Sequence, residues 1–277
     1  MEGLCNHLIK EGFIKTQKVY DALLKVDRAD FSPNWPYADS PQSIKYNVTI
    51  SAPHMHAYCL ELLKDHLKIG GRALDVGFGS GYLTVAMSKM MEDKGTAVGI
   101  EHIKELYDFA NINISKHHKD LLDTKKVILV VGDGRNGCAQ YGPYDCIHVG
   151  AAAEQLPQPL IDQLANGGRL VIPVGETGGN QYIYVIDKDK NGKITQRKTL
   201  GVSYVPLTSV KKQLSYYWKI FLNAYFVLKY LLIIIIFIVN SDRLLIIRPY
   251  LIIKKNFLKF FGDWGLGIGD WGLGDRK

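Results

Sequence analysis

Apolar residues in this chain recur first at helical spacing and then, from residue 72 onward, in short β-branched runs separated by helical stretches. Cys5 to Phe31 read as two amphipathic helices. Ile14 and Thr16 start the second, whose apolar positions Val19, Leu23, Leu24 and Val26 share a face. The turn-rich "SPNWPYADSPQS" predicts a connector. After it, "RALDVGF", "TAVGI", "KVILVVG", "YDCIHVG" and "GGRLVIPVG" predict strands. Helices are expected between them at Tyr82–Met91, Lys104–Lys116 and Pro159–Leu164. Such alternation is the pattern of an α/β fold with a doubly wound, mostly parallel sheet, here with N-terminal helices added. "NQYIYVIDKDKNGKITQRKTLGVSYVPL" breaks the alternation and predicts an antiparallel edge hairpin turning at Asn191-Gly192.

Past about Gln213 the character changes. "YYWKIFLNAYFVLKYLLIIIIFIVN" is intensely apolar, and "GDWGLGIGDWGLGD" is an imperfect tandem repeat. The chain therefore divides into a globular domain, 1–213, and an atypical tail, 214–277, expected to lie outside the fold. Glycine at the repeat's density does not hold a helix, so Phe261 to Lys277 are expected to be disordered. The uncharged run between Lys229 and Asp242 is short of the ~20 residues a membrane span needs. Reaching that length would place Asn223 and Lys229 inside, so membrane association through the tail is the less favoured expectation.

Charge removes one class of partner. The net charge is +7 from 34 basic and 27 acidic residues. From Lys211 onward there are 11 basic and 4 acidic residues, which leaves 23 of each before it. The globular part is neutral, and nucleic acid is not expected to bind it. The 4 cysteines show no paired spacing, and the N-terminal "MEGLCNHLIKEG" has no signal-like pattern. A cytoplasmic monomer is the expectation.

The chemistry begins at "LDVGFGSGY", where Gly77, Gly79 and Gly81 follow a strand and open a helix. Glycines there let backbone approach a ligand, with helix N–H groups aimed at it. The spacing G-x-G-x-G, with Tyr82 where a dinucleotide fingerprint has glycine, makes NAD the poorer fit. No Walker lysine follows. Acids stand at strand ends: Asp75, Glu101 after "TAVGI", and Asp133 after "VILVVG". A carboxylate after the second strand is placed to accept hydrogen bonds from ribose hydroxyls.

"NVTISAPHMHAYCLELL" opens another helix. His54 and His56 are two apart and share no helical face, and no second ligand pair stands nearby, so no metal is expected. Ser51 lacks the surroundings of an attacking nucleophile. It reads as the helix N-cap, with Pro53 in the first turn, and as a donor at an anion-binding helix end. His56 is either a packed helix residue or a cofactor-side residue, and His148 reads as structural.

"LDVGFGSGYLT", "VGIEHIKEL", "VVGDGR" and "PYDCIHVGAAA" resemble the motifs of class I S-adenosylmethionine-dependent methyltransferases, whose sheet is Rossmann-like. With "DSPQSI", "TISAPHMHA", "LIDQLANGGRLVIPVG" and "GVSYVPLT", the resemblance narrows to the protein-L-isoaspartate O-methyltransferase family, from near residue 5 to about Gln213. It implies an enzyme that moves a methyl group from S-adenosyl-L-methionine to the free carboxyl of L-isoaspartyl residues in damaged proteins and peptides. The ester then collapses to a succinimide, whose hydrolysis partly restores aspartate. The resemblance also implies cofactor contacts from Asp75, Gly77, Glu101, His102, Asp133, Gly134, Thr208 and Gln213. Thr49, Ile50, Ser51 and His56 would then lie at the methyl-transfer site. Phe78 departs from the family, which more often has a small residue there. The rival readings are a methyltransferase with another acceptor, or a non-catalytic cofactor-binding adaptor using its tail to reach a membrane or partner.

Overall fold

The computed structural model describes residues 1–215. The apolar run, the Gly/Trp-rich repeat and almost all of the tail set apart above lie outside the described residues. The chain divides into one unit of Met1–Tyr217 and another of Trp218–Lys277. The first is described below.

Nine strands and seven α-helices make up the described unit. In chain order the helices are α1 (Glu2–Lys10), α2 (Gln17–Leu24), α3 (Pro53–Leu63), α4 (Tyr82–Met90), α5 (Lys104–His117), α6 (Lys119–Asp123) and α7 (Gln158–Asp162). The strands are β1 (Gln42–Ser43), β2 (Thr49–Ile50), β3 (Arg72–Val76), β4 (Thr96–Glu101), β5 (Val127–Val131), β6 (Tyr144–Val149), β7 (Leu164–Val174), β8 (Gln181–Lys188) and β9 (Ile194–Val202). β1 and β2 form a two-stranded ribbon, and the other seven form one sheet in the order β5-β4-β3-β6-β7-β8-β9. Strands β5 to β7 run parallel, whereas β8 and β9 are antiparallel. The turn between them falls at Gly192, φ +84°, so the hairpin is where the Asn-Gly pair puts it.

Strand side chains alternate between two cores, because successive Cβ atoms leave opposite faces of a sheet. Ala73, Ala97, Val127, Cys146, Val171 and Val185 join the side covered by α1 to α5. Leu74, Val98, Ile100, Ile147, Leu170 and Ile172 join the other core, which takes Leu160 from α7. Covering both faces explains why the parallel strands read as nearly continuous apolar runs.

Helices α4 and α5 end within one residue of the sequence reading, and three other element ends differ from it. The first helix starts at Glu2, before Cys5. The helix expected over Pro159–Leu164 stops at Asp162, because Leu164 already begins β7 and enters the core. Helix α3 begins at Pro53 with Ala52 at its N-cap position and no side-chain cap bond. Ser51 is therefore not the cap. Asp39 does that work from the connector: its Oδ1 accepts from the His54 backbone N–H at 2.9 Å and lies 2.8 Å from His54 Nδ1.

Phe78 is buried, and a Cβ placed on Gly99 of β4 would stand 2.7 Å from its ring. A missing side chain on the neighbouring strand makes the room, which is how this chain carries a bulky residue inside the glycine turn.

Candidate functional site

The chain leaves β3 for β4 and β5 on one side and returns to β6 on the other. A crevice opens at such a reversal, beyond the carboxyl ends of the strands. Here it is a cleft lined at the end of β3 by Val76 and Gly77, at the end of β4 by Ile100, Glu101 and His102, and beside β6 by Gly150 and Ala151. Gly134, Val48, the stretch Val205–Thr208 and Gln213 complete its walls.

Gly77 has φ +74°, and a Cβ there would meet nothing within 4 Å. The backbone turns in a conformation that suits glycine and leaves open space against the cleft. A Cβ on Gly150 would lie 3.0 Å from the Gly77 carbonyl, so the ends of β3 and β6 also meet without side chains. Glu101 is buried and pinned. Its Oε1 accepts from the backbone N–H groups of His102 (2.8 Å) and Ile103 (3.2 Å), and its Oε2 accepts from Gly79 N–H (3.3 Å). Burial pushes its carboxyl above the usual range, opposed by His102 and by these backbone bonds. Across the opening, His102 Nε2 lies 2.8 Å from Gln213 Oε1, and Gln213 Nε2 donates to the Tyr46 carbonyl at 3.0 Å.

Of the residues named from sequence, Gly77, Glu101, His102, Gly134, Thr208 and Gln213 meet in this cleft. Others sit elsewhere. Asp75 is buried beneath it, with Oδ2 accepting from Thr84 Oγ1 at 2.6 Å and Oδ1 2.9 Å from His148 Nδ1. Asp133 caps a short 3-10 turn and forms a bidentate pair with Arg135, at 2.9 Å from Nε and 2.6 Å from Nη2. That pairing holds its carboxyl below the usual range. Gly79 supplies its N–H to Glu101. Gly81, φ +87°, faces Ile114 and Ala110 of α5, so its role is packing.

A second cluster forms around Arg28, which sequence reading missed. Its guanidinium is fully buried, with Nη1 3.0 Å from His56 Nδ1 and Nη2 donating to the Ser51 carbonyl at 2.5 Å. It also stacks 5.2 Å from the Tyr82 ring centre, and its Nε has no partner. Burial first, then Arg28, pulls His56 well below the ordinary imidazole value. A neutral His56 accepts from Arg28 through Nδ1, so the packed reading of His56 describes its surroundings. Val48, three residues before Ser51, lines the cleft, so the Ser51 stretch borders it. Thr49 and Ile50 pair with Ser43 and Gln42 in the small ribbon that carries the chain up to Ser51. An arginine in "VDRADF" has no local pattern that marks it. Gly150 and Ala151, by contrast, follow from the strand-end rule applied to "YDCIHVGAAA".

A parallel sheet reversing beside β3, a glycine turn after that strand and an acid ending the next make a Rossmann-like site for an adenosine-type ligand, as the resemblance to class I S-adenosylmethionine-dependent methyltransferases implies. A family model described as protein-L-isoaspartate(D-aspartate) O-methyltransferase matches residues 1–212, and the chain belongs to that family. The protein-L-isoaspartate O-methyltransferase of Caenorhabditis elegans is 51% identical over 210 residues, covering 76% of this chain and 93% of that relative. Protein-L-isoaspartate O-methyltransferase 1 of Arabidopsis thaliana is 48% identical over 217 residues, covering 77% and 92%. Among solved structures, the chain is similar to a protein-L-isoaspartate O-methyltransferase from Plasmodium falciparum in complex with S-adenosyl-L-homocysteine. The TM-score is 0.70 at 38% identity, covering 74% of this chain and 97% of that one.

Proposed function

We propose that this chain methylates the free carboxyl of L-isoaspartyl residues in damaged proteins and peptides, with Ser51 holding that carboxyl beside the cleft. The observation that carries the reading is the side-by-side placement of a cleft suited to an adenosine-type ligand and a serine hydroxyl freed from capping. When bound, S-adenosyl-L-methionine supplies a methyl group on a cationic sulfur. The residues present fit it: Gly77 leaves backbone open to a ligand, and Glu101 is fixed as an acceptor for ribose hydroxyls. Thr208 and Gln213 close the cleft from the other side, and His102 reaches across to Gln213.

An aspartyl-type carboxyl titrates near ~4, so the acceptor arrives ionised and needs no general base. The Ser51 hydroxyl donates to one carboxylate oxygen and leaves the other free to take the methyl group. Arg28, donating to the Ser51 carbonyl, adds positive charge behind it, which favours an anion on this side. Anion and cation cancel as the methyl moves, so a site poor in water assists the reaction. Asp39 occupies the His54 N–H, so Ser51, rather than that N–H of the α3 terminus, is the donor assigned to the substrate.

The remaining elements of the reading are a cytosolic monomer whose tail takes no part in the chemistry. The four cysteines are buried free thiols, which suits a reducing compartment. No helix among the described residues is long and apolar enough to cross a membrane. The test is methylation of an isoaspartyl peptide with its aspartyl counterpart as control, for the full chain and for a chain ending at Leu214. Equal rates on the two peptides would reject the acceptor, and loss of activity on shortening would give the tail a role.

A further inference from the structure

Arg28 stands between two aspartates in "VDRADF", yet both face other groups. Asp27 Oδ1 accepts from the Ala29 N–H at 3.0 Å and from the Tyr37 hydroxyl at 2.8 Å, and Asp30 Oδ2 lies 2.7 Å from His117 Nδ1. The Arg28 side chain turns inward and is fully buried. There Nη1 lies 3.0 Å from His56 Nδ1, Nη2 donates to the Ser51 carbonyl at 2.5 Å, and Nε has no partner. Burying a guanidinium is costly, and a buried donor left unsatisfied calls for a reason.

The reason lies in what this one group joins. Tyr82 packs against the guanidinium, with its ring centre 5.2 Å away, and the His56 ring centre is 5.0 Å from that of Tyr82. Tyr82 is the first residue of α4 and directly follows Gly81 of the glycine turn. Arg28 therefore meets the Ser51 main chain, the His56 ring and the start of the helix that leaves the cofactor loop.

We propose that Arg28 is a positioning residue for methyl transfer, setting the Ser51 main chain and the His56 ring at fixed places relative to the glycine turn. The proposal rests on the isoaspartyl reading and deepens it. A guanidinium is a rigid fork whose donors keep a set angle, and it accepts no hydrogen bond. Two donors of one fork fix Ser51 against His56 across Ala52, the N-cap position of α3. The same rule decides the state of His56. Because Arg28 only donates, His56 Nδ1 is the bare nitrogen, and the ring proton sits on Nε2. Misplacing a reacting group by ~1 Å can cost ~100-fold in rate, so a fork that holds Ser51 in place acts on turnover.

Arg28→Lys in the full chain separates charge from positioning, because an ammonium on a flexible stem keeps the charge and lacks the fork. The variant is expected to lower kcat on an isoaspartyl peptide roughly tenfold or more, with peptide KM and S-adenosyl-L-methionine affinity within about threefold. An arginine that served only as a charge would leave kcat unchanged. One that served only the fold would lower the thermal midpoint and leave kcat per folded molecule unchanged. Either outcome overturns the proposal. Nitrogen-15 NMR of the His56 ring in the parent chain, recorded near neutral pH without peptide, needs no variant. A bare Nδ1 and a protonated Nε2 support the contact whatever the acceptor is, and a proton on Nδ1 refutes it. Equal rates of the parent chain on isoaspartyl and aspartyl peptides would reject the acceptor and leave the ring result standing.

Discussion

The two sides of this site are built in different ways. On the cofactor side the backbone makes the approach. Gly77 and Gly150 bring strand ends together without side chains, and Glu101 is held by three backbone N–H groups. On the proposed acceptor side the contacts are made by groups far apart in sequence: Arg28 meets the Ser51 carbonyl and His56, and Asp75 meets His148 and Thr84. A backbone cradle tolerates what surrounds it, as Phe78 over Gly99 shows. A cluster of buried side chains is upset when one member is lost. Substitutions should therefore fall into two groups, one read in cofactor affinity and one in turnover.

The largest effect is expected at Ser51. Ser51→Ala should lower turnover on an isoaspartyl peptide by roughly 100-fold, the scale seen when one preorganised donor is removed. Cofactor affinity by calorimetry should hold. So should the thermal midpoint, because Ala52 occupies the cap position and Asp39 takes the His54 N–H. Ser51→Thr keeps the hydroxyl and should recover part of the rate. A drop in cofactor affinity comparable to the drop in rate would erase the division between the two sides.

Glu101→Gln is the matching test on the cofactor side. It should weaken S-adenosyl-L-methionine binding about tenfold, in the range for a hydrogen bond to a charged group, with kcat at saturation little changed. Glu101→Ala is the blunter change. It strands the N–H groups of Gly79, His102 and Ile103, so the thermal midpoint should fall along with affinity. Equal cofactor affinity in Glu101→Gln and the parent would take the carboxylate out of the cofactor's reach.

The same contrast explains what was legible in the sequence. The sheet, its antiparallel edge and the lining by Gly77 and Glu101 follow from local pattern, because a strand, its glycine turn and its end acid are neighbours in the chain, whereas Gln213 is implied by the family resemblance alone. The acceptor side is tertiary. Ser51 looks like a cap because serine two residues before an N-terminal proline commonly is one. Only the fold shows that Asp39, fifteen residues before His54, has taken that place. Arg28 carries no spacing that marks it, and its place beside Ser51 and His56 appears only when the turn after α2 meets α3.

His148 gives the comparison a pH dimension. In an unfolded chain imidazole titrates near ~6.5, whereas in the fold it is pushed up to about 10. The folded state holds this proton more tightly. Its contribution to stability is therefore whole below the unfolded value and is lost as pH climbs through about 10. Thermal midpoints measured between neutral pH and pH ~10 should fall more steeply for the parent than for His148→Gln, whose side chain does not titrate. Parallel curves would show that the ring is neutral in the fold.

The smallest effects separate two glycines of one loop. Gly77 and Gly81 have φ of +74° and +87°. Alanine at either position costs about 1 kcal/mol in backbone conformation, because a Cβ disfavours the left-handed region. Their surroundings then decide what else is lost. At Gly77 the new methyl meets no protein atom within 4 Å and projects into open space beside the cleft. Gly77→Ala should add a loss of cofactor affinity to its modest loss of stability. At Gly81 the methyl meets Ile114 Cδ1 at 3.1 Å and the Ala110 Cβ at 3.2 Å, both on α5. Gly81→Ala should lose more stability than Gly77→Ala, since α5 must shift, and should bind cofactor normally once folded. Calorimetric affinity set against thermal midpoint for the two variants tests this directly. If both lose affinity in proportion to stability, the loop acts as one rigid unit, and its glycines cannot be divided into one that faces the ligand and one that faces the helix.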